Sequence, residues 1–202
     1  MRHAARSRAR VTGIAIRLAA AADAPGIQAI YAPIVRDTFI SFEVEPPDVR
    51  EMTRRLGDTL EKYPWLVAAD AAGVAGYAYA GEHRSRPAYQ WSVDVSCYVH
   101  ERARRRGLGS RLYRALFGVL ERQGFANAFA GIALPNEASV AMHESVGFVV
   151  VGTYRGVGFK RGEWHDVAWM QRRLATLAAA PEAPKPLARM DASIVAEALR
   201  AP

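Results

Sequence analysis

The sequence predicts an α+β (mixed α/β) protein: one central, twisted, mixed sheet of about seven strands flanked by about four helices. Three observations predict it. Several short runs alternate apolar and polar residues, whereas others repeat apolar residues at helical spacing. In chain order these segments read strand, two helices, three strands, helix, strand, helix, two strands. The stretch Val93–Phe117 joins a cleanly alternating strand to a glycine-opened helix through an arginine-rich loop.

The elements follow in order. Ile14 to Leu18 alternate and predict a first strand; Asp23 and Pro25 read as the N-cap and first turn of a helix carrying Ile27, Ile30, Ile34 and Val35. Asp37 to Glu45 is irregular or extended, with Phe39 and Phe42 outward, and Pro46-Pro47-Asp48 starts a second helix to about Lys62. Trp65–Ala69 and Val74–Ala80 form an antiparallel hairpin, followed by a loop with Arg84 and Arg86. Gly124 ends the helix after the central strand, and Phe125–Leu134 is a buried fifth strand with parallel neighbours. Pro135-Asn136 opens a short helix to about Val146, Gly147-Phe148 leads into a sixth strand, and Arg161-Gly162 turns into a seventh, Trp164–Leu174. Residues 1–12 read as a flexible basic arm, 13–176 as the folded domain, and 177–202 as a loosely attached Ala/Pro-rich tail with a marginal helix at 191–200.

Bulk properties narrow the function. At 202 residues the chain can bury a sizeable core. Its formal charge is +7, but Arg2, Arg6, Arg8 and Arg10 contribute +4 with no acid among the first ten residues, so the charge is no argument for nucleic acid. A single cysteine excludes a disulfide framework and most zinc sites; Cys97 reads as a core residue. No apolar run approaches a membrane span, and no apolar stretch follows the N-terminal arginines as in a secretory signal, so the expectation is a cytoplasmic protein without bound metal.

The central stretch carries the chemistry. Val93, Val95, Cys97 and Val99 point to one face and Asp94, Ser96 and Tyr98 to the other. The helix repeats Leu108, Leu112, Leu116 and Leu120. At its start Gly107, Leu108, Gly109 and Ser110 let backbone N–H groups approach an anion, and Arg104, Arg105 and Arg106 add charge, the makings of a pyrophosphate cradle. A P-loop would need Gly-Lys-Ser/Thr, and a dinucleotide fingerprint would need glycine where Leu112 stands.

Arg104-Arg105-Arg106-Gly107-Leu108-Gly109 resembles the acetyl-CoA loop of the GNAT N-acetyltransferases. The stretches 63–68 (YPWLVA), 76–81 (GYAYAG), 88–91 (AYQW), 134–136 (LPN), 142–144 (MHE), 158–160 (GFK) and 164–166 (WHD) resemble the phosphinothricin and methionine sulfoximine/sulfone N-acetyltransferase branch, over roughly residues 14–174. The resemblance implies the GNAT fold, acetyl-CoA as co-substrate, a small amino-acid analogue acetylated at its α-amine, and a homodimer. It puts the general base on the fourth strand, where Asp94 stands in place of the usual glutamate. Aspartate is one methylene shorter, which leaves direct proton abstraction, abstraction through a water, and a purely structural carboxylate all open. It further implies that the backbone of Cys97, Tyr98 and Val99 holds the acetyl and pantetheine groups, and that Asn136 contacts coenzyme A. Asn136, Ser139 and His143 share one helix face, and His143 stands where many GNAT enzymes carry a tyrosine acid; a packed polar histidine is the alternative. Arg84 and Arg86 would clamp anionic groups of the acceptor, or else are solvated, and Phe39 and Phe42 would wall its pocket or simply pack. His165-Asp166 reads as structural. The rival functions are acetylation of a polyamine or protein N-terminus, and a non-catalytic regulator binding coenzyme A or nucleic acid.

Overall fold

The computed structural model describes residues 13–200. The basic arm expected at 1–12 lies outside the described residues. The strands are β1 (Ala15–Leu18), β2 (Trp65–Asp70), β3 (Gly73–Glu82), β4 (Ser92–Val99), β5 (Asn127–Ala133), β6 (Val149–Lys160) and β7 (Glu163–Arg173). The helices are α1 (Ala24–Asp37), α2 (Val49–Leu60), α3 (Leu108–Gln123), α4 (Glu137–Ser145) and α5 (Ala192–Arg200). All seven strands join one sheet in the order β1-β2-β3-β4-β5-β7-β6.

Two different layers cover the sheet. On one side α3 buries Leu108, Leu112, Leu116 and Leu120 against Leu66, Ala78, Val93 and Val95. On the other, α1 and α2 bury Ile27, Met52 and Leu56 against Trp65, Val67 and Tyr77. Burying a large apolar side chain is worth about 1.5–3 kcal/mol, so the i+4 leucine stripe is enough to seat α3. Gly124 ends it in the left-handed region at φ +96°, donating back to the Glu121 and Leu120 carbonyls. Asp48 caps α2 by accepting from Glu51 N–H at 2.7 Å.

Three expectations need correction. Asp23 sends its carboxylate backward, to Ala20 N–H at 2.8 Å and the Arg17 guanidinium at 2.7 and 2.8 Å, instead of capping α1; the ion pair outcompetes the forward cap. β5 is parallel to β4 alone, because β6 crosses to the edge and β7 returns antiparallel between them. Among the described residues there are five helices, the fifth being the one expected as marginal at 191–200. The tail is docked, not loose: Leu187, Val195 and Ala198 are buried against Val119 on the outer side of α3, and Gly118 lets α5 approach closely. Gln123 ties this together, donating to the carbonyls of Lys62 and Lys185 at 2.9 and 2.8 Å. The tail's few apolar residues lie far apart in sequence, so only their common landing place reveals them as a core. Among the described residues no helix is long and apolar enough to cross a membrane.

Candidate active site

The site begins with a fork. β4 and β5 pair only at Ser92–Asn127, Val93–Ala128 and Asp94–Phe129. Beyond that point β4 continues on β3 to Val99 opposite Gly76, and β5 continues on β7 to Ala133 opposite Val167. The two facing edges therefore diverge, and backbone groups normally spent on a sheet ladder line the gap. Cys97, Tyr98 and Val99 border it. Burial pushes the Cys97 thiol up to about 12, so it is no nucleophile. The Tyr98 ring packs away from the gap, its centroid 5.2 Å from that of Tyr31 and 5.3 Å from that of Tyr77.

At the mouth of the fork stands the N-terminus of α3. Gly107 occupies the left-handed region at φ +73° with no atom within 4 Å of where a Cβ would stand, and no side chain caps the helix. The N–H groups at the start of a helix lack intrahelical partners, and the dipole there favours an anion. Arg104, Arg105 and Arg106 surround this end, all exposed. Arg104 Nε donates to the Val99 carbonyl at 3.2 Å, tying the loop to the end of β4. Ser110 faces α4, its hydroxyl 3.4 Å from that of Ser145.

At the closed end of the fork sits Asp94, the last β4 residue paired to β5. Its Oδ1 lies 2.6 Å from Nδ1 of His83. Burial pushes the Asp94 carboxyl up from its usual range, opposed by His83 and by the charge of Arg84. The His83 ring stacks on Phe129 at 4.3 Å and 13°, with Trp169 and Tyr89 edge-on at 6.2 and 6.0 Å. Arg84 lies over the Trp169 ring at 5.5 Å and donates to the His83 carbonyl at 2.7 Å. The Trp169 indole N–H is buried without a partner. Of the two expected arginines, Arg84 lies near enough for its charge to be felt at Asp94. Arg86 is exposed and gives its carbonyl to the turn at 87–89.

A cavity of about 260 Å³ opens along the Asp94 face of the sheet, lined by Tyr31, Glu43, Arg55, Trp65, Tyr77 and Tyr79. Tyr79 stands opposite Ser96, which shares Asp94's face by the strand's period of two. Glu43 accepts from Tyr31 and Arg55 at 2.8 Å each, and these donors hold its carboxyl below the usual range despite burial.

The remaining predicted residues divide. Asn136 caps α4, its Oδ1 accepting from Ser139 N–H at 3.2 Å, and borders a cleft of about 770 Å³ with Leu134, Val140, Glu144, Trp164 and His165. Phe39 lines the same cleft, stacked on His165 at 4.3 Å; Phe42 packs on Gly158. Their loop is pinned by Lys160, whose ammonium donates to the carbonyls of Val35, Ser41 and Glu43 at 2.6–2.7 Å. Both phenylalanines thus pack on the β6–β7 ribbon. His143 is 5% exposed, and both its ring nitrogens are engaged. Nδ1 lies 2.7 Å from the Ser139 carbonyl, which can only accept, so Nδ1 carries the proton and Nε2 accepts from the Tyr113 hydroxyl at 2.9 Å. Burial lowers its pKa. Both nitrogens are held in place, and in the neutral ring Nε2 has no proton to give. Ser139 serves it through its carbonyl, with its hydroxyl 3.4 Å away. His165 Nε2 lies 3.0 Å from the Lys160 carbonyl, and Asp166 accepts from Gly156 and Arg155, both structural as read from the sequence.

Sequence reading missed His83, Lys160 and Tyr113. For His83 a signal existed: Gly81 opposes Asp94 across the hairpin, which brings the residue two further on within diagonal reach. For Lys160 and Tyr113 there was none, since their partners lie 117–125 and 30 positions away.

The sheet thus opens beside the uncapped end of α3, with the Asp94 carboxylate where β4 and β5 part. Residues 16–169 match the family described as the acetyltransferase (GNAT) domain. The chain is 42% identical over 159 residues to the phosphinothricin N-acetyltransferase of Streptomyces viridochromogenes, covering 79% of this chain and 87% of that one. It is 38% identical over 168 residues to the L-methionine sulfoximine/L-methionine sulfone acetyltransferase of Pseudomonas aeruginosa, 82% and 98% of the two chains. The crystal structure of a GNAT-superfamily phosphinothricin acetyltransferase from Sinorhizobium meliloti in complex with acetyl-CoA superposes with a TM-score of 0.80 at 37% identity, over 85% of this chain and 94% of that one. The chain belongs to the GNAT acetyltransferase family.

Proposed function

We propose that this enzyme transfers the acetyl group of acetyl-CoA to the α-amine of a small amino-acid analogue of the phosphinothricin, methionine sulfoximine or methionine sulfone type. The observation that carries this reading is the position of Asp94 where β4 and β5 part, in line with the gap leading to the α3 N-terminus. Acetyl-CoA supplies an activated thioester carbon. The N–H groups of Gly107, Leu108, Gly109 and Ser110, with Arg104, Arg105 and Arg106, would take its pyrophosphate. The diverging edge at Cys97–Val99 would hold the pantetheine arm and offer a donor to the carbonyl oxygen as it gains charge. Asn136 and Ser139, at the start of α4, flank the donor side.

An α-amine is largely ammonium at neutral pH, so a proton must leave before nitrogen can attack. Asp94 supplies the negative charge on which that step depends. Arg84, close to Asp94 and stacked on Trp169, suits the carboxylate or the phosphinate of such an acceptor, and the unpartnered Trp169 N–H offers a second donor. The aromatic cavity on the Asp94 face accommodates an acceptor side chain.

We also read the enzyme as a cytoplasmic homodimer. Val150, Val151, Tyr154, Phe159 and Trp164 are half exposed or more on the β6–β7 ribbon, a patch that a second copy would cover. Sedimentation of wild type and Trp164→Glu tests this: a dimer that the variant dissociates supports it, and a wild-type monomer at working concentration refutes it.

The catalytic reading is tested by thiol release from acetyl-CoA with phosphinothricin, methionine sulfoximine, methionine sulfone, common amino acids and spermidine. Turnover of the phosphorus or sulfur analogues, lost in Asp94→Ala, is the expected result. Turnover of spermidine alone would overturn the substrate class.

A further inference from the structure

We propose that the proton acceptor for the substrate amine is His83, through Nε2, and that Asp94 acts behind it as the carboxylate that orients the ring and stabilises its charged form. This rests on the acetyltransfer reading above and names the atom that performs its proton step.

The geometry is specific. A carboxylate only accepts hydrogen bonds, so the 2.6 Å contact between Asp94 Oδ1 and His83 Nδ1 puts the proton of the neutral ring on Nδ1. Nε2 is then an unprotonated lone pair, and among the described residues no protein group hydrogen-bonds to it. The ring cannot swing away, because it lies flat on Phe129, the residue paired with Asp94 at the closed end of the fork, and is flanked edge-on by Trp169 and Tyr89. A base one imidazole beyond the carboxylate would offset the shorter side chain of aspartate. His143 has no such opening, since its two nitrogens are spent on Ser139 and Tyr113.

The step balances without any further reagent. Nε2 takes one proton from the substrate ammonium, giving an imidazolium held by the Asp94 carboxylate. The freed amine nitrogen forms the C–N bond as the thioester C–S bond breaks, its remaining extra proton ends on sulfur, and the imidazolium returns its proton to solvent. Among the described residues the titratable or charged groups facing His83 are Asp94 on β4, Arg84 on its own loop and Tyr89 on the following turn, while β5 and β7 present Phe129 and Trp169.

The test compares wild type, His83→Phe, which keeps the stack on Phe129, and His83→Gln. Expected is a loss in kcat/KM of about 100-fold at pH 7, the scale of general-base catalysis, recovering as pH rises toward the amine's own pKa, with KM for acetyl-CoA unchanged. A His83→Phe enzyme with wild-type kcat/KM and the wild-type pH profile would overturn the proposal and leave Asp94 as the base. A second readout needs no substrate: ¹⁵N-imidazole NMR of the whole protein should show His83 as the Nδ1–H tautomer, lost in Asp94→Asn. An Nε2–H tautomer would overturn the dyad. An enzyme silent with every amine, yet showing the Nδ1–H tautomer, would fault the acetyltransfer reading and not the dyad geometry.

Discussion

Two histidines, His83 beside β4 and His143 on α4, carry opposite arrangements. His83 has one nitrogen held by a carboxylate and the other without a partner among the described residues, in a ring stacked flat at the fork. His143 has both nitrogens taken by a carbonyl and a hydroxyl, in a ring wedged edge-on between Tyr113 and Phe148. The difference teaches what makes a histidine reactive here. An imidazole that must exchange protons needs an unpaired nitrogen and a charge to stabilise its cation, whereas one with both nitrogens satisfied holds structure. Substitutions at the first region should move rates, and substitutions at the second should move stability.

The largest effect is expected from Asp94→Asn. It removes the charge at the fork and should lower kcat/KM by about 10²–10³-fold, roughly 3–4 kcal/mol of barrier, with little change in melting temperature. Steady-state thiol release and a thermal melt on the same sample measure both. Wild-type turnover would place the proton step elsewhere.

Next comes His143→Ala. It leaves a void against Tyr113 and Phe148 and strands a buried hydroxyl, costing about 2–4 kcal/mol in unfolding free energy by denaturant titration. A kcat loss at unchanged stability would instead put His143 on the proton path. The pH dependence sharpens this. Burial lowers the folded pKa of His143, so the unfolded chain binds the proton more readily. The stability this group contributes is therefore present above the unfolded pKa of about 6.5 and is lost as pH falls through the window below it. The gap between wild type and His143→Gln should accordingly be wider at pH 7.5 than at pH 5.5.

Arg84→Ala should raise KM for an acidic acceptor about tenfold, near 1.4 kcal/mol, and leave KM for acetyl-CoA unchanged. An equal change in both constants would make Arg84 a packing residue on Trp169. The smallest effect belongs to Tyr113→Phe, which removes a single hydrogen bond to His143 and should cost about 1 kcal/mol. Unfolding curves of Tyr113→Phe, His143→Ala and the double variant would show whether the two side chains act as one unit.

Most of the architecture was legible in the chain because its signals are local. The leucine stripe of α3, the alternation of β4, the Asp48 cap and the glycines at 107 and 124 each act within a few residues of themselves. The loop and glycine-opened helix start at 104–110 were legible for the same reason, being built from consecutive residues. What misled was local too. Asp23 looks like a cap until Arg17 meets it, and an alanine-proline tail looks loose until Val119 and Gly118 offer it a seat.

By itself, then, the sequence determined the order of elements, the sheet-and-helix class and the glycine-opened start of α3, which depend on periodicity and short-range backbone geometry, while its short motifs carried the family resemblance. The tertiary structure alone decided where β4 and β5 part, that His83 rather than Arg86 joins Asp94, that Lys160 pins the 38–47 loop, and that His143 is locked on both sides. Those facts depend on pairs of polar atoms brought within 3 Å by chain segments up to 125 residues apart, and no local pattern encodes such a meeting.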